Sequence, residues 1–184
     1  MFRARPARID LNSFLKQTPS KVRDKQYFLF SEESVISIGH RYKGRFDQAV
    51  LHFEEAPILD LMIERKFPIK YLPREARKED MFQAALYAQA IQESGASCSK
   101  TKLVIIYCLQ QHAARCENNR NTTDCISCDF GEAFTQKYDQ KWILRELKRL
   151  DEIWFGSRKP IAEPGEKCRP CPYSKNGICQ YSIY

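Results

Sequence analysis

Ile58-Leu-Asp-Leu-Met-Ile-Glu-Arg-Lys-Phe67 is the stretch on which the fold turns. Its apolar content is that of a strand in the middle of a sheet, yet it carries charges. Side chains alternate along a strand at period 2, so Asp60, Glu64 and Lys66 are expected on one face. The other face takes Leu59, Leu61, Ile63 and Phe67, interrupted by Arg65. An acid and a lysine two residues apart on one face of an apolar strand are costly unless they pair or serve chemistry.

The flanking sequence supplies partners. Arg45–Phe53 is strand material, and Glu54-Glu-Ala-Pro57 turns the chain into the charged strand, so 45–53 and 58–67 form an antiparallel hairpin. Pro68 ends its second arm. Upstream, 26–30 and 34–38 are two further strands with a turn over Gly39–Gly44. Downstream, a charged loop over 68–78 leads to a helix from Met81 to Glu93, with Glu79 and Asp80 in its first turn, where acids suit the dipole. Thr101–Leu109 is a third strong strand, 111–129 a polar insert and 130–134 a further strand. Asp139 is an N-cap candidate for a helix over 140–155 with Ile143, Leu147, Leu150 and Trp154 on one face. Strands, helix, strand and helix in this order predict an α/β domain with a mixed sheet.

Three segments follow: a basic N-terminal segment (1–25), a core (26–158) carrying the insert, and a cysteine-bearing C-terminal segment (159–184). The first has Arg3, Arg5 and Arg8 before any acid and reads as a solvated terminus or an arm touching phosphate, with a short helix near Asp10–Lys16. With 184 residues the chain has room for one real core plus a small appendage. A hydrophobic content of 43% argues against disorder, and a net charge of +7 favours a polyanionic partner such as nucleic acid. The opening MFRARPARID has no apolar h-region, and the longest apolar run, Leu103–Leu109, is too short to span a bilayer, so no membrane partner and a cytoplasmic location are expected. Eight cysteines in such a chain point to metal rather than to disulfides.

The chemistry concentrates in three short motifs. Asp47 ends Gly44-Arg-Phe-Asp47; Glu64 and Lys66 form Glu-x-Lys on the next strand; Gln83 and Tyr87 form Gln-x-x-x-Tyr on the following helix. Two carboxylates from neighbouring strands can share Mg²⁺ or Mn²⁺, which prefer oxygen ligands. Lys66 can orient a water or neutralise charge developing on phosphorus. Gln83 and Tyr87, one helical turn apart, can orient groups around them. Each motif alone has an ordinary reading: a salt-bridged strand edge, a helix surface, a turn. Their order, with separations that a hairpin and a helix can close, favours the catalytic one. Asp60 lies about 13 Å along the strand from Glu64 at the usual rise and reads as an edge residue.

These motifs together resemble the RecB-type branch of the PD-(D/E)XK nucleases. The terminal Cys168-Arg-Pro-Cys171-Pro-Tyr-Ser-Lys-Asn-Gly-Ile-Cys179 is similar to the tail of the CRISPR-associated RecB-like exonucleases, and the whole resemblance covers roughly residues 35–180. The resemblance implies a restriction-endonuclease-like mixed β-sheet flanked by helices. It further implies metal-dependent cleavage of DNA from single-stranded ends and work in spacer acquisition, an antiviral defence, beside the CRISPR integrase proteins. Asp47, Glu64 and the Arg65 backbone carbonyl would hold Mg²⁺ or Mn²⁺, and Lys66 would be the catalytic lysine. Cys168, Cys171 and Cys179 would hold a 4Fe–4S cluster, with Zn²⁺ the alternative. Lys70, Arg74, Arg77 and Lys78, after the catalytic strand, are candidates for phosphate contact.

The chain departs from the family in two places. No cysteine precedes Cys98, where the family has one before its Asp motif, and the family's early metal-site histidine is missing unless His40 substitutes. Two rival readings follow: a non-catalytic, metal-stabilised nucleic-acid-binding module, and a RecB-type repair or viral recombination nuclease outside CRISPR. Both metal types normally want four protein ligands, so the C-terminal set is one short. Cys98 and Cys108 are candidates for the fourth, although a strand cysteine such as Cys108 is usually a small core residue. Within the insert His112, Cys116, Cys125 and Cys128 offer a zinc-type set of their own. Incidental thiols in a polar loop, or an insert cysteine completing the C-terminal cluster, are the alternatives.

Overall fold

The structure, a computed structural model, describes residues 4–17, 26–116, 125, 126 and 128–181. Two units can be distinguished, Met1–Arg145 and Glu146–Tyr184, and each is taken by itself.

The first unit is built on a six-stranded mixed sheet. The strands β1 (Arg5–Pro6), β2 (Tyr27–Ser31), β5 (Gln48–Phe53), β6 (Pro57–Lys66), β7 (Lys102–Cys108) and β8 (Gly131–Lys137) lie side by side in that order. Strands β3 (Ser34–Ser37) and β4 (Tyr42–Arg45) pair as a separate hairpin. The predicted α/β class and mixed sheet are present.

Strand β6 lies inside the sheet, antiparallel to β5 and parallel to β7. A parallel pair needs a crossover, and α2 (Lys78–Glu93) supplies it. This helix presents Ala84, Ala85, Ala88 and Ala90, all fully buried, and small side chains let it lie close on β6 and β7. Beneath it Leu59, Met62, Leu103 and Ile105 are buried completely; each such side chain contributes roughly 1.5–3 kcal/mol. Gly95 ends the helix at φ 110°, a conformation that a side chain would strain. On the second sheet face Val50, Ile63, Val104 and Ile106 form a cluster against which Leu29, Ala133 and Cys125 pack.

Two expectations are corrected. The alternation of β6 breaks at Asp60: Val50 pairs with Leu61, but Leu51 pairs with Leu59, leaving Asp60 as an extra residue in a bulge. Asp60 therefore does not share the face of Glu64 and Lys66. Its carboxylate meets Nδ1 of the buried His52 at 2.5 Å, and Glu54 meets Nε2 at 3.1 Å.

The described part of the N-terminal segment is not a solvated arm. Arg5 and Pro6 pair with β2, and α1 (Leu11–Leu15) buries Leu11, Phe14 and Leu15. Asp10 caps α1 by accepting the Ser13 N–H at 2.9 Å, as the expected short helix needs. The Phe14 ring lies 5.2 Å from Phe30 and 5.5 Å from Phe28. Residues 18–25 lie outside the described ones, as does Arg3.

The helix α4 (Gln140–Trp154), counting Gln110–Ala113 as α3, begins in the first unit. Asp139 accepts the Lys141 N–H at 2.9 Å, as its N-cap assignment requires. Ile143 and Leu147 are buried, but Trp154 is 76% exposed and so does not continue their face as a covered residue. The second unit also holds a 3₁₀ turn (Glu166–Cys168) and a short helix, α5 (Pro172–Lys175).

Candidate active site

The site forms where β6 meets the bend before β5 and the first half of α2. Phe46, completely buried, anchors that bend and leaves Asp47 at the mouth of the β5–β6 pair. Asp47 Oδ2 accepts the Arg65 N–H at 2.6 Å, and the Asp47 N–H donates to Glu64 Oε1 at 3.3 Å. These bonds tie the Asp47 carboxylate to the Arg65 backbone and the Glu64 carboxylate to the Asp47 backbone.

Glu64 is only 2% exposed. Burial, followed by the neighbouring Asp47 carboxylate, pushes its pKa up to about 7, and the Lys66 ammonium opposes the rise. Lys66 Nζ donates to Glu64 Oε2 at 3.2 Å and to Gln83 Oε1 at 2.7 Å. Gln83 Nε2 in turn donates to the Tyr87 hydroxyl at 2.8 Å, and burial raises the pKa of that phenol. Asp47, Glu64, Lys66, Gln83 and Tyr87 thus stand in one connected network.

Asp80 also belongs here. Its Oδ1 lies 3.9 Å from Lys66 Nζ, and its Oδ2 accepts the Tyr107 hydroxyl at 2.6 Å. Tyr107 itself accepts the Arg77 N–H at 3.0 Å, so a β7 side chain fixes the start of α2. The sequence carried the signal for Asp80, which precedes Gln83 by three residues and Tyr87 by seven, one helical face.

Gly44 sets the distance between β4 and α2. A Cβ there would stand 2.4 Å from Tyr87 Cε1. Gly44→Ala is expected to push the Tyr87 ring aside at a cost of about 1–3 kcal/mol, visible as a lower midpoint in denaturant titration. Any activity of the site should fall with it, because Tyr87 orients Gln83 and, through it, Lys66.

The Asp47–Glu64 pair fits a hard divalent cation. The Asp47 carboxylate opposes ionisation of the buried Glu64, a positive charge between them would relieve that, and the donors are all oxygen. His40 does not join them. Its Nε2 lies 4.0 Å from Glu93 Oε1, and Glu93 is ten residues beyond Gln83, or about 15 Å along α2. A cavity of about 700 Å³ opens elsewhere, lined by Ser97, Ser99, Lys137 and Asp139, and holds none of the site residues.

The cysteines sort into three environments. Cys98 is a core residue: its thiol donates to the Ala88 carbonyl at 3.6 Å, and burial pushes its pKa up to about 12. In the second unit the Cys171 N–H bonds the Cys168 carbonyl at 3.1 Å, a tight turn that places two thiols close in sequence at the start of α5. The Cys179 N–H bonds the Tyr173 carbonyl at 3.0 Å and folds the third cysteine back towards the same helix. Three thiolates of this kind fit an iron–sulfur cluster or zinc but leave it one ligand short.

In the insert, His112 stacks on Phe130, with centroids 5.1 Å apart and planes at 23°. Cys108, one of the candidate fourth ligands, lines a cavity with Cys116 and Cys125. Among the described residues no group of three or more His, Cys, Asp or Glu is already drawn into metal-holding geometry. Also among them, no helix is long and apolar enough to cross a membrane. No protein-family model matches the chain, and no curated protein does.

Proposed function

We propose that the protein is a divalent-metal-dependent DNA nuclease of the RecB-like PD-(D/E)XK type, acting on single-stranded ends. The observation that carries this reading is the buried Glu64 carboxylate, held beside Asp47 on the neighbouring chain segment and faced by Lys66. A purely structural salt bridge has no need of the second acid, which raises the cost of charging Glu64.

Mg²⁺ or Mn²⁺ held by Asp47, Glu64 and the Arg65 carbonyl would polarise a phosphoryl oxygen and acidify a water. The chain's own groups do the rest. Asp47, fixed by the Arg65 N–H, keeps its carboxylate from rotating away. Lys66 holds its ammonium against Glu64 through the Gln83 bond, where it can orient the attacking water and balance charge on the pentavalent phosphorus. Tyr87 holds the Gln83 amide in the orientation that offers oxygen to Lys66. Asp80 adds a second carboxylate to the lysine's surroundings, 3.9 Å from its ammonium.

Beyond β6 the chain runs into an exposed loop bearing Lys70, Arg74 and Arg77, with Tyr71 81% exposed among them and Lys78 opening α2. Basic side chains track phosphates, and an exposed aromatic offers a stacking surface for unpaired bases. Such a loop at the exit of the catalytic strand favours single-stranded DNA. Processing of DNA for CRISPR spacer acquisition beside the integrase proteins, with an iron–sulfur or zinc centre on Cys168, Cys171 and Cys179, is the pathway this reading favours. A repair or viral recombination nuclease would use the same residues.

The test is digestion of end-labelled single-stranded DNA by the purified chain in Mg²⁺ or Mn²⁺ and in EDTA. Degradation in either metal that stops in EDTA is expected. DNA binding that persists in EDTA, with no cleavage under any divalent cation, would instead mark a non-catalytic binding module. The absence of a site histidine is what favours that second reading.

A further inference from the structure

We propose that Cys108, Cys116, Cys125 and Cys128 form a four-thiolate zinc site that fastens the insert to the end of β7. The site draws its first ligand from a strand and not from His112, and it shares no ligand with the C-terminal cysteines or with the Asp47–Glu64 pair.

Chain geometry gathers the four residues. Cys108 is the last residue of β7 and pairs with Gly131, the first of β8. A Cβ on Gly131 would stand 2.8 Å from the Tyr107 carbonyl oxygen and 4.0 Å from the Cys108 Cβ, so glycine permits this approach. The Gly131 N–H bonds the Cys128 carbonyl at 3.3 Å, and the Cys128 N–H bonds the Cys125 carbonyl at 3.4 Å. A Cys-x2-Cys turn therefore leads straight into the strand that pairs with Cys108. From the other side the Cys116 N–H bonds the Ala113 carbonyl at 3.2 Å, ending the turn that follows α3.

These segments enclose a cavity of about 20 Å³ lined by Arg65, Phe67, Ile106, Cys108, Cys116 and Cys125. It is too small for an organic ligand, and three of the four cysteines line it. No disulfide links the four cysteines, and thiolates gathered at one strand end repel unless a cation sits among them.

Thiolates select soft or borderline metals, and four of them close a tetrahedron with no open position. The site is thus structural. Cys125 packs against the Val50–Ile63–Val104–Ile106 cluster, on the sheet face that α2 does not cover. Zinc would hold Cys125 against that face and would contribute folding energy there.

The test is cysteine alkylation of the wild-type full chain, mapped peptide by peptide with and without added Zn²⁺, beside His112→Ala. Zinc is expected to protect Cys108, Cys116, Cys125 and Cys128 together, at least tenfold in rate, in both proteins. Absorption-edge fine structure on the zinc-loaded chain with Cys168, Cys171 and Cys179 changed to serine should show four sulfurs at about 2.3 Å. Unprotected Cys108, protection lost in His112→Ala, or a nitrogen in the zinc shell would overturn the proposal. None of these outcomes depends on whether the protein cleaves DNA.

Discussion

Glu64→Gln is expected to abolish cleavage while raising thermal stability above neutral pH. The buried carboxyl has its pKa raised from an ordinary 4.5 to about 7. Below 4.5 it is protonated in both the folded and the unfolded chain and costs nothing. As pH rises through that window the unfolded chain ionises first, and the folded chain carries a growing penalty, up to about 3 kcal/mol once both have ionised. Glutamine never ionises and escapes it. In EDTA at pH 8 the variant should melt higher than wild type, by at most roughly 5–10 °C for a chain of this size. At pH 4 the two should melt together. Added Mn²⁺ should stabilise wild type by supplying the missing counter-charge, and should leave the variant unmoved. Equal melting of the two proteins at pH 8 would mean that Glu64 carries no burdened charge.

Lys66→Ala separates metal binding from chemistry. The oxygen donors at Asp47 and Glu64 stay in place, and loss of the nearby ammonium makes a bound cation more welcome to them. Mn²⁺ affinity, read by paramagnetic resonance of the free ion, should be retained or rise. Cleavage should fall by roughly 10²–10³-fold, the usual loss when one charged group stops stabilising a transition state. Gln83 then loses the partner it accepts from at 2.7 Å, and its amide is free to turn on the Tyr87 hydroxyl. Lost Mn²⁺ affinity together with lost cleavage would place Lys66 in the folding of the site and not in its chemistry.

Much of the site could be read locally. Glu64 and Lys66 stand out as charges in an apolar strand, and Gln83 and Tyr87 are one turn apart on a helix whose ends are marked by Glu79, Asp80 and Gly95. The misread positions depend on contacts distant in sequence. Asp60 falls in a bulge set by the register of β5 against β6, which the period-2 pattern of β6 alone does not reveal. His40 is carried to Glu93 by the β3–β4 hairpin, a separate sheet whose seating on α2 no local motif announces. From sequence Cys108 is open between a ligand and a small core residue, and its pairing with Gly131 is a contact that the strand sequence alone does not reveal. In the N-terminal segment Leu11, Phe14 and Leu15 after a capping Asp10 are a helical face in plain view, but that this face packs on Phe28 and Phe30 depends on contacts distant in sequence.

The proposed cleavage needs Asp47, Glu64 and Lys66 to act as one metal-dependent cutting site. Side-by-side digestion of single-stranded DNA at pH 8 in Mn²⁺ by wild type and Glu64→Gln, each verified as folded by its melting curve, tests it most directly. Degradation by wild type and none by the better-folded variant is the predicted result. Equal degradation by both proteins, or none by wild type in any divalent metal, would contradict it.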